Sequence, residues 1–127
     1  MATCIKRLRK ELQNLDKSPN EFITLKANAE NILEWTATIC APPDSVYEGY
    51  MFQLSIQVGM DYPLVPPKMT FLSKIFHPNI LFDTGEICLD ILKKEWSPAW
   101  SLQSACQAIM TLLAEPVPDR FDLKMQP

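Results

Sequence analysis

The sequence predicts an α+β fold in which antiparallel strands lie between two helices. Three observations carry that reading: a helical apolar period at the N-terminus, two blocks of strict alternation joined by a turn-rich stretch, and a strongly apolar helical period behind a serine.

The first element spans Thr3 to Asp16, where Ile5, Leu8, Leu12 and Leu15 recur on one face and Lys6, Arg7, Arg9, Lys10 and Glu11 fall elsewhere. This is amphipathic helix patterning, and Ser18-Pro19 stops it. Leu33, Trp35, Ala37 and Ile39 then alternate with Glu34, Thr36 and Thr38, and Phe52, Leu54, Ile56 and Val58 alternate with Gln53, Ser55 and Gln57. Period-two alternation means strands with one wet face. "APPDSVYEGY" supplies the turn residues between them, so the two strands form an antiparallel hairpin with a long loop. A shorter strand runs from Lys68 to Leu72, after "YPLVPP", whose prolines forbid regular pairing and stiffen the chain.

From Ile75 to Trp100 no period is sustained, although Phe76, Ile80, Phe82, Ile87, Leu89, Ile91, Leu92, Trp96 and Trp100 make the stretch apolar. Irregular backbone inside a folded unit must satisfy its polar groups one at a time, and such segments are more often functional than structural. Ser101 is read as an N-cap. Behind it Leu102, Ala105, Cys106, Ile109, Leu112 and Leu113 fall at helical spacing, and "EPVPD" ends the helix.

The 127 residues suffice to bury a core without disulfides or metals, and 47% hydrophobic residues with only 3 glycines read as a folded, repeat-free chain. A formal charge of -3 gives no reason to expect nucleic acid. No stretch is long enough to span a membrane and the N-terminus is charged where a signal peptide is apolar, so a soluble, cytoplasmic protein is expected. Cys4, Cys40, Cys88 and Cys106 are widely spaced, with no Cys-x-x-Cys and one histidine, so neither a zinc site nor a disulfide framework is supported. Four free thiols are expected, and no metal.

The chemistry concentrates in "IFHPNILFDTGEICLDIL", which holds the sole histidine and, eleven positions on, Cys88. Read from its residues, Cys88 is a small buried hydrophobe or a nucleophile. Glu86 and Asp90 flank it, and carboxylates there disfavour a thiolate, which argues against a hydrolase built on Cys88, His77 and Asn79. A cysteine that only accepts an acyl group from another thioester needs less activation. It does need a donor aimed at the oxyanion when an amine attacks, and the Asn79 amide is the local candidate. The competing reading has Asn79 holding its own loop. His77, between Phe76 and Pro78, reads as a buried, hydrogen-bonded brace.

"HPNILFDTGEICLDIL", followed by "WSPAW" and preceded by "YEG" and "YPLVPPKMTF", closely resembles the ubiquitin-conjugating enzyme (E2) family, from the basic helix to Asp119. The wording is most similar to the peroxisomal, peroxin-4-like branch. The resemblance implies a UBC-like α+β fold in one domain, 1–127: N-terminal helix, antiparallel meander of about four strands, irregular active-site segment, then a central helix. It implies that Cys88 accepts ubiquitin from the activating enzyme (E1) as a thioester and passes it, with a RING or HECT-type E3 ligase, to an amine or thiol. Asn79 matches the asparagine that stabilises the oxyanion or holds the nearby loop. His77, Pro78, Leu89, Asp90 and Asp119 match the active-site scaffold, Lys6, Arg7 and Lys10 the E1-binding face, and Leu64, Ser97, Pro98 and Ala99 the E3-binding loops. No cofactor is implied, since ATP is consumed upstream by E1. A peroxisomal role would need a recruiting membrane partner, because no anchor or C-terminal peroxisome tripeptide is present.

Three departures set further expectations. The chain reads "RFDLKMQP" and stops where the family continues with two helices, so the helix from Ser101 to Ala114 is expected to expose apolar surface. Arg120 stands where the family has an acidic residue or serine, and its charge would repel a lysine ammonium. Tyr50 replaces a frequent glycine after "YEG". Tyr50 means only a different turn, whereas Arg120 and the short C-terminus support an alternative, an E2-like module that binds ubiquitin or an E3 with weak or no transfer to lysine.

Overall fold

The computed structural model describes residues 2–117. Helix α1, Ala2–Lys17, leads into strands β1, Ile23–Asn28, β2, Asn31–Cys40, β3, Met51–Gln57, and β4, Lys68–Phe71; helix α2, Leu102–Ala114, follows. The strands form one antiparallel meander in the order β1-β2-β3-β4. This is the expected UBC-like α+β architecture.

Strand register follows from the alternation. Leu25 faces Ala37, Ala37 faces Leu54, and Leu54 faces Phe71, so one row of side chains crosses the sheet on its buried side. The opposite face carries Thr24, Lys26, Thr36, Gln53, Gln57 and Lys68, all exposed. β1 precedes the two long alternating blocks, and its Ile23, Leu25 and Ala27 alternate in the same way over only six residues. A tight turn joins it to β2, with Asn28 Oδ1 accepting from Glu30 N at 2.8 Å and Asn31 Oδ1 from Leu33 N at 3.0 Å.

Helix α1 turns a different stripe inward from the one its leucines suggest. Cys4 and Leu8 are buried and Leu15 is half-buried, whereas Leu12 is 39% exposed. The inward stripe is Cys4, Leu8, Glu11, Leu15, so a carboxylate occupies the place expected for a leucine. Its side chain is only 11% exposed.

Ser101 caps α2 as expected. Its Oγ accepts from Ser104 N at 3.1 Å, and Ser104 Oγ in return accepts from Ser101 N at 2.7 Å, a reciprocal capping box. Leu102, Ala105, Cys106, Ile109, Leu112 and Leu113 are buried against the sheet. The expectation that α2 exposes apolar surface is corrected among the described residues. Gln107, Thr111 and Glu115 point outward, Met110 is half-buried beside the core, and the other large hydrophobic residues of the helix are buried on the sheet-facing stripe.

Candidate active site

Between β4 and α2 the chain is irregular, apart from one 3₁₀ turn at Asp90–Leu92. Its backbone is satisfied individually: Ile80 N donates to His77 O at 3.1 Å, Leu81 N to Glu86 O at 2.9 Å, Cys88 N to Asn79 O at 2.8 Å, and Lys93 N to Asp90 O at 2.9 Å. The segment is docked on the sheet edge through Gly85. Phe71 N donates to Gly85 O at 2.9 Å, Gly85 has φ +78°, and a Cβ there would lie 2.1 Å from Phe71 O. Both the backbone angle and the space require glycine.

His77 is 5% exposed and each ring nitrogen meets a backbone group. Asn79 N donates to Nδ1 at 3.0 Å, so that nitrogen is unprotonated, and Nε2 therefore carries the hydrogen it gives to Leu112 O at 2.8 Å. A neutral imidazole thus ties the segment to α2. Tyr47 stacks on it, with ring centroids 5.9 Å apart, and donates its hydroxyl to Phe76 O. This geometry fits the brace reading of His77 and not a base for Cys88.

Asn79 is fully buried, and its amide forms a reciprocal pair with one residue after α2. Nδ2 donates to Val117 O at 2.8 Å and Val117 N donates to Oδ1 at 2.9 Å. The amide therefore holds a distant segment and not its own loop, which corrects the local turn reading. Its backbone carbonyl meanwhile receives the Cys88 amide, so one residue connects Cys88 to the chain leaving α2. Cys88 itself is half-buried, as are Pro78, Leu89 and Asp90. Glu86, two positions before Cys88, lies 3.4 Å from Lys93 Nζ, so its charge is offset locally. Cys4 and Cys106 are buried and Cys40 half-buried. Burial pushes the Cys106 thiol up to about 12 and raises that of Cys4.

The residues expected to meet other proteins divide into two groups. Lys6 and Lys10 are exposed on α1, and Leu64, Pro98 and Ala99 are exposed on two loops, Leu64 to 76%, with Ser97 half-buried. Arg7 is engaged internally: Nη1 donates to Pro98 O at 3.0 Å, Nη2 to Trp100 O at 2.6 Å and Nε to Glu11 at 3.0 Å. The two loops also touch, with Trp96 Nε1 donating to Pro63 O at 2.8 Å. Asp119 and Arg120 lie outside the described residues. Tyr47, Val117, Glu11 and Tyr62 were given no role by the sequence reading; Tyr47 and Tyr62 stand inside the quoted motifs, but a brace between distant segments leaves no local pattern.

A family model described as ubiquitin-conjugating enzyme matches residues 7–122 of the chain. The chain belongs to the ubiquitin-conjugating enzyme family. Among curated relatives, Protein PEROXIN-4 of Arabidopsis thaliana is 54% identical over 110 residues, covering 87% of this chain and 69% of that protein. Ubiquitin-conjugating enzyme E2 pex4 of Dictyostelium discoideum is 49% identical over 114 residues, covering 89% of this chain and 76% of its own. The names of these relatives agree with the branch indicated by the motif wording. Among the described residues no helix is long and apolar enough to cross a membrane.

Proposed function

We propose that this E2 carries ubiquitin as a thioester on Cys88. The observation that carries the reading is the placement of Cys88: a half-buried thiol on an irregular segment braced to α2 by His77 and to the chain beyond it by Asn79. In charging, Cys88 Sγ attacks the carbonyl carbon of the E1-bound thioester. A new C–S bond forms, the E1 C–S bond breaks, and the E1 thiol leaves with the proton that Cys88 gives up. In discharge a substrate amine attacks the same carbon, Cys88 Sγ is the leaving group, and a proton passes from nitrogen to solvent or sulfur.

Asn79 serves this step by holding the wall of the site. Its Nδ2 has two hydrogens and one is committed to Val117 O; with the side chain fully buried, its part in the step in this conformation is that of a brace. Lys6 and Lys10 offer E1 an exposed basic face, and Leu64, Pro98 and Ala99 offer a RING or HECT-type E3 apolar contacts on stiff loops that lose little entropy on docking. The names of the relatives support work at the peroxisome, reached through a recruiting membrane partner.

Arg120 favours a second reading, in which the charged form forms but transfers poorly to lysine. The test is a chase of the ubiquitin-charged chain with free lysine and with free cysteine. Loss of the adduct to both supports full transfer activity, loss to cysteine alone supports the second reading, and failure to charge removes both.

A further inference from the structure

Glu11 faces inward on α1, where the stripe calls for an apolar side chain, and its carboxylate is met by three donors from three parts of the chain. Oε2 accepts from Arg7 Nε at 3.0 Å and from the Tyr62 hydroxyl at 2.5 Å, and Oε1 accepts from Leu102 N at 2.9 Å. Each donor leads to a different structural element. Tyr62 begins the "YPLVPP" loop that exposes Leu64 and Val65. Arg7 reaches on to Pro98 O and Trp100 O, the ends of the loop that exposes Pro98 and Ala99. Leu102 is the first residue of α2, immediately after that second loop.

We infer that Glu11 is a positioning residue for the partner-docking surface, one carboxylate that sets the two exposed loops at a fixed spacing. The inference rests on the E2 reading for its use but on the hydrogen bonds alone for its geometry. A buried carboxylate with three donors is favourable only while all three stay in place, so loosening one loop is felt by the other. The direct link from Trp96 to Pro63 joins the same two loops, with the Trp96 ring 6.0 Å from that of Tyr62, and the Arg7 guanidinium lies 5.7 Å above the Tyr62 ring. Two apolar patches held at one spacing can be matched by a rigid partner without ordering either loop. The structural alternative is that Glu11 only completes the first turn of α2, for which Leu102 N alone would be enough.

Amide hydrogen exchange on the full chain separates these roles without any partner. In Glu11→Gln the side chain presents an NH₂ where donors converge, and the account expects the amides of Leu64, Val65, Ala99 and Trp100 to exchange about tenfold faster while those of β2 and β3 hold. In Tyr62→Phe, which removes one of the three donors, Leu64 and Val65 should quicken most, and Ala99 and Trp100 should quicken to a smaller degree. Acceleration confined to the first turn of α2, or no change in the loops, overturns the inference. A RING domain, selected as the one that most accelerates ubiquitin discharge from the unsubstituted chain, supplies the functional arm. With Glu11→Gln its half-saturating concentration should rise about tenfold while the rate at saturation returns to that of the unsubstituted chain. An unchanged half-saturating concentration also overturns the inference. If the unsubstituted chain does not charge at all, the E2 reading fails, and the exchange data still decide the geometry.

Discussion

Replacing Asn79 with alanine separates a brace from a donor that acts only on the reacting thioester. The substitution removes both bonds to Val117, each contributing about 1 kcal/mol net, and empties part of a fully buried site at a further cost of up to about 1 kcal/mol. The expected loss is about 2–3 kcal/mol. Across 127 residues, with an unfolding entropy of about 2 cal/mol/K per residue, this lowers the melting temperature by roughly 8–12 °C. Differential scanning calorimetry measures it directly. Asn79→Asp refines the test, because one carboxylate oxygen still accepts from Val117 N while the other faces Val117 O. That variant should be destabilised at neutral pH and recover on acidification, as the protonated carboxyl regains a donor. If both variants melt with the unsubstituted chain while discharge slows, Asn79 acts on the oxyanion alone and the bracing account is refuted.

Gly85→Ala should cost at least about 1–3 kcal/mol, since it combines a left-handed backbone with a contact to Phe71 O that only backbone movement can relieve; chemical denaturation reads the change. Burial of Cys106 raises its thiol from about 9 to about 12, so the folded state binds a proton that the unfolded state gives up first. Stability is therefore fully present below about pH 9 and falls above it, by up to about 1.4 kcal/mol per pH unit from this group. Melting curves of the parent chain and Cys106→Ala between pH 8 and pH 10 check the slope, which should flatten in the variant. Alkylation under native conditions should modify Cys40 and Cys88 well before Cys4 and Cys106, as peptide mass mapping would show.

Local pattern carried the main elements. Alternation in β2 and β3 and the serine ahead of α2 are properties of neighbouring residues, and the sequence displays them directly. β1 follows the same rule over Ile23, Leu25 and Ala27, with Thr24 and Lys26 outward, but it is only six residues long. The side that α1 turns inward could not be read, because it depends on Glu11 finding donors at residues 7, 62 and 102, which only the tertiary fold assembles. The same limit applies to the site. His77 was legible as a brace from its apolar setting, but its partner on α2 was not, and the attachment of Asn79 to Val117 spans 38 positions. The family resemblance put Arg7 with Lys6 and Lys10 on an exposed basic face, whereas its guanidinium is spent on Pro98 O and Trp100 O.

The central claim is that Cys88 forms the thioester, and charging the chain with E1, ATP and ubiquitin beside Cys88→Ser and Cys40→Ser tests it most directly. The account predicts an adduct that thiols cleave in the unsubstituted chain and in Cys40→Ser, and a thiol-resistant oxyester or no adduct in Cys88→Ser. A thiol-sensitive adduct that persists in folded Cys88→Ser, or none in the folded unsubstituted chain, would contradict it.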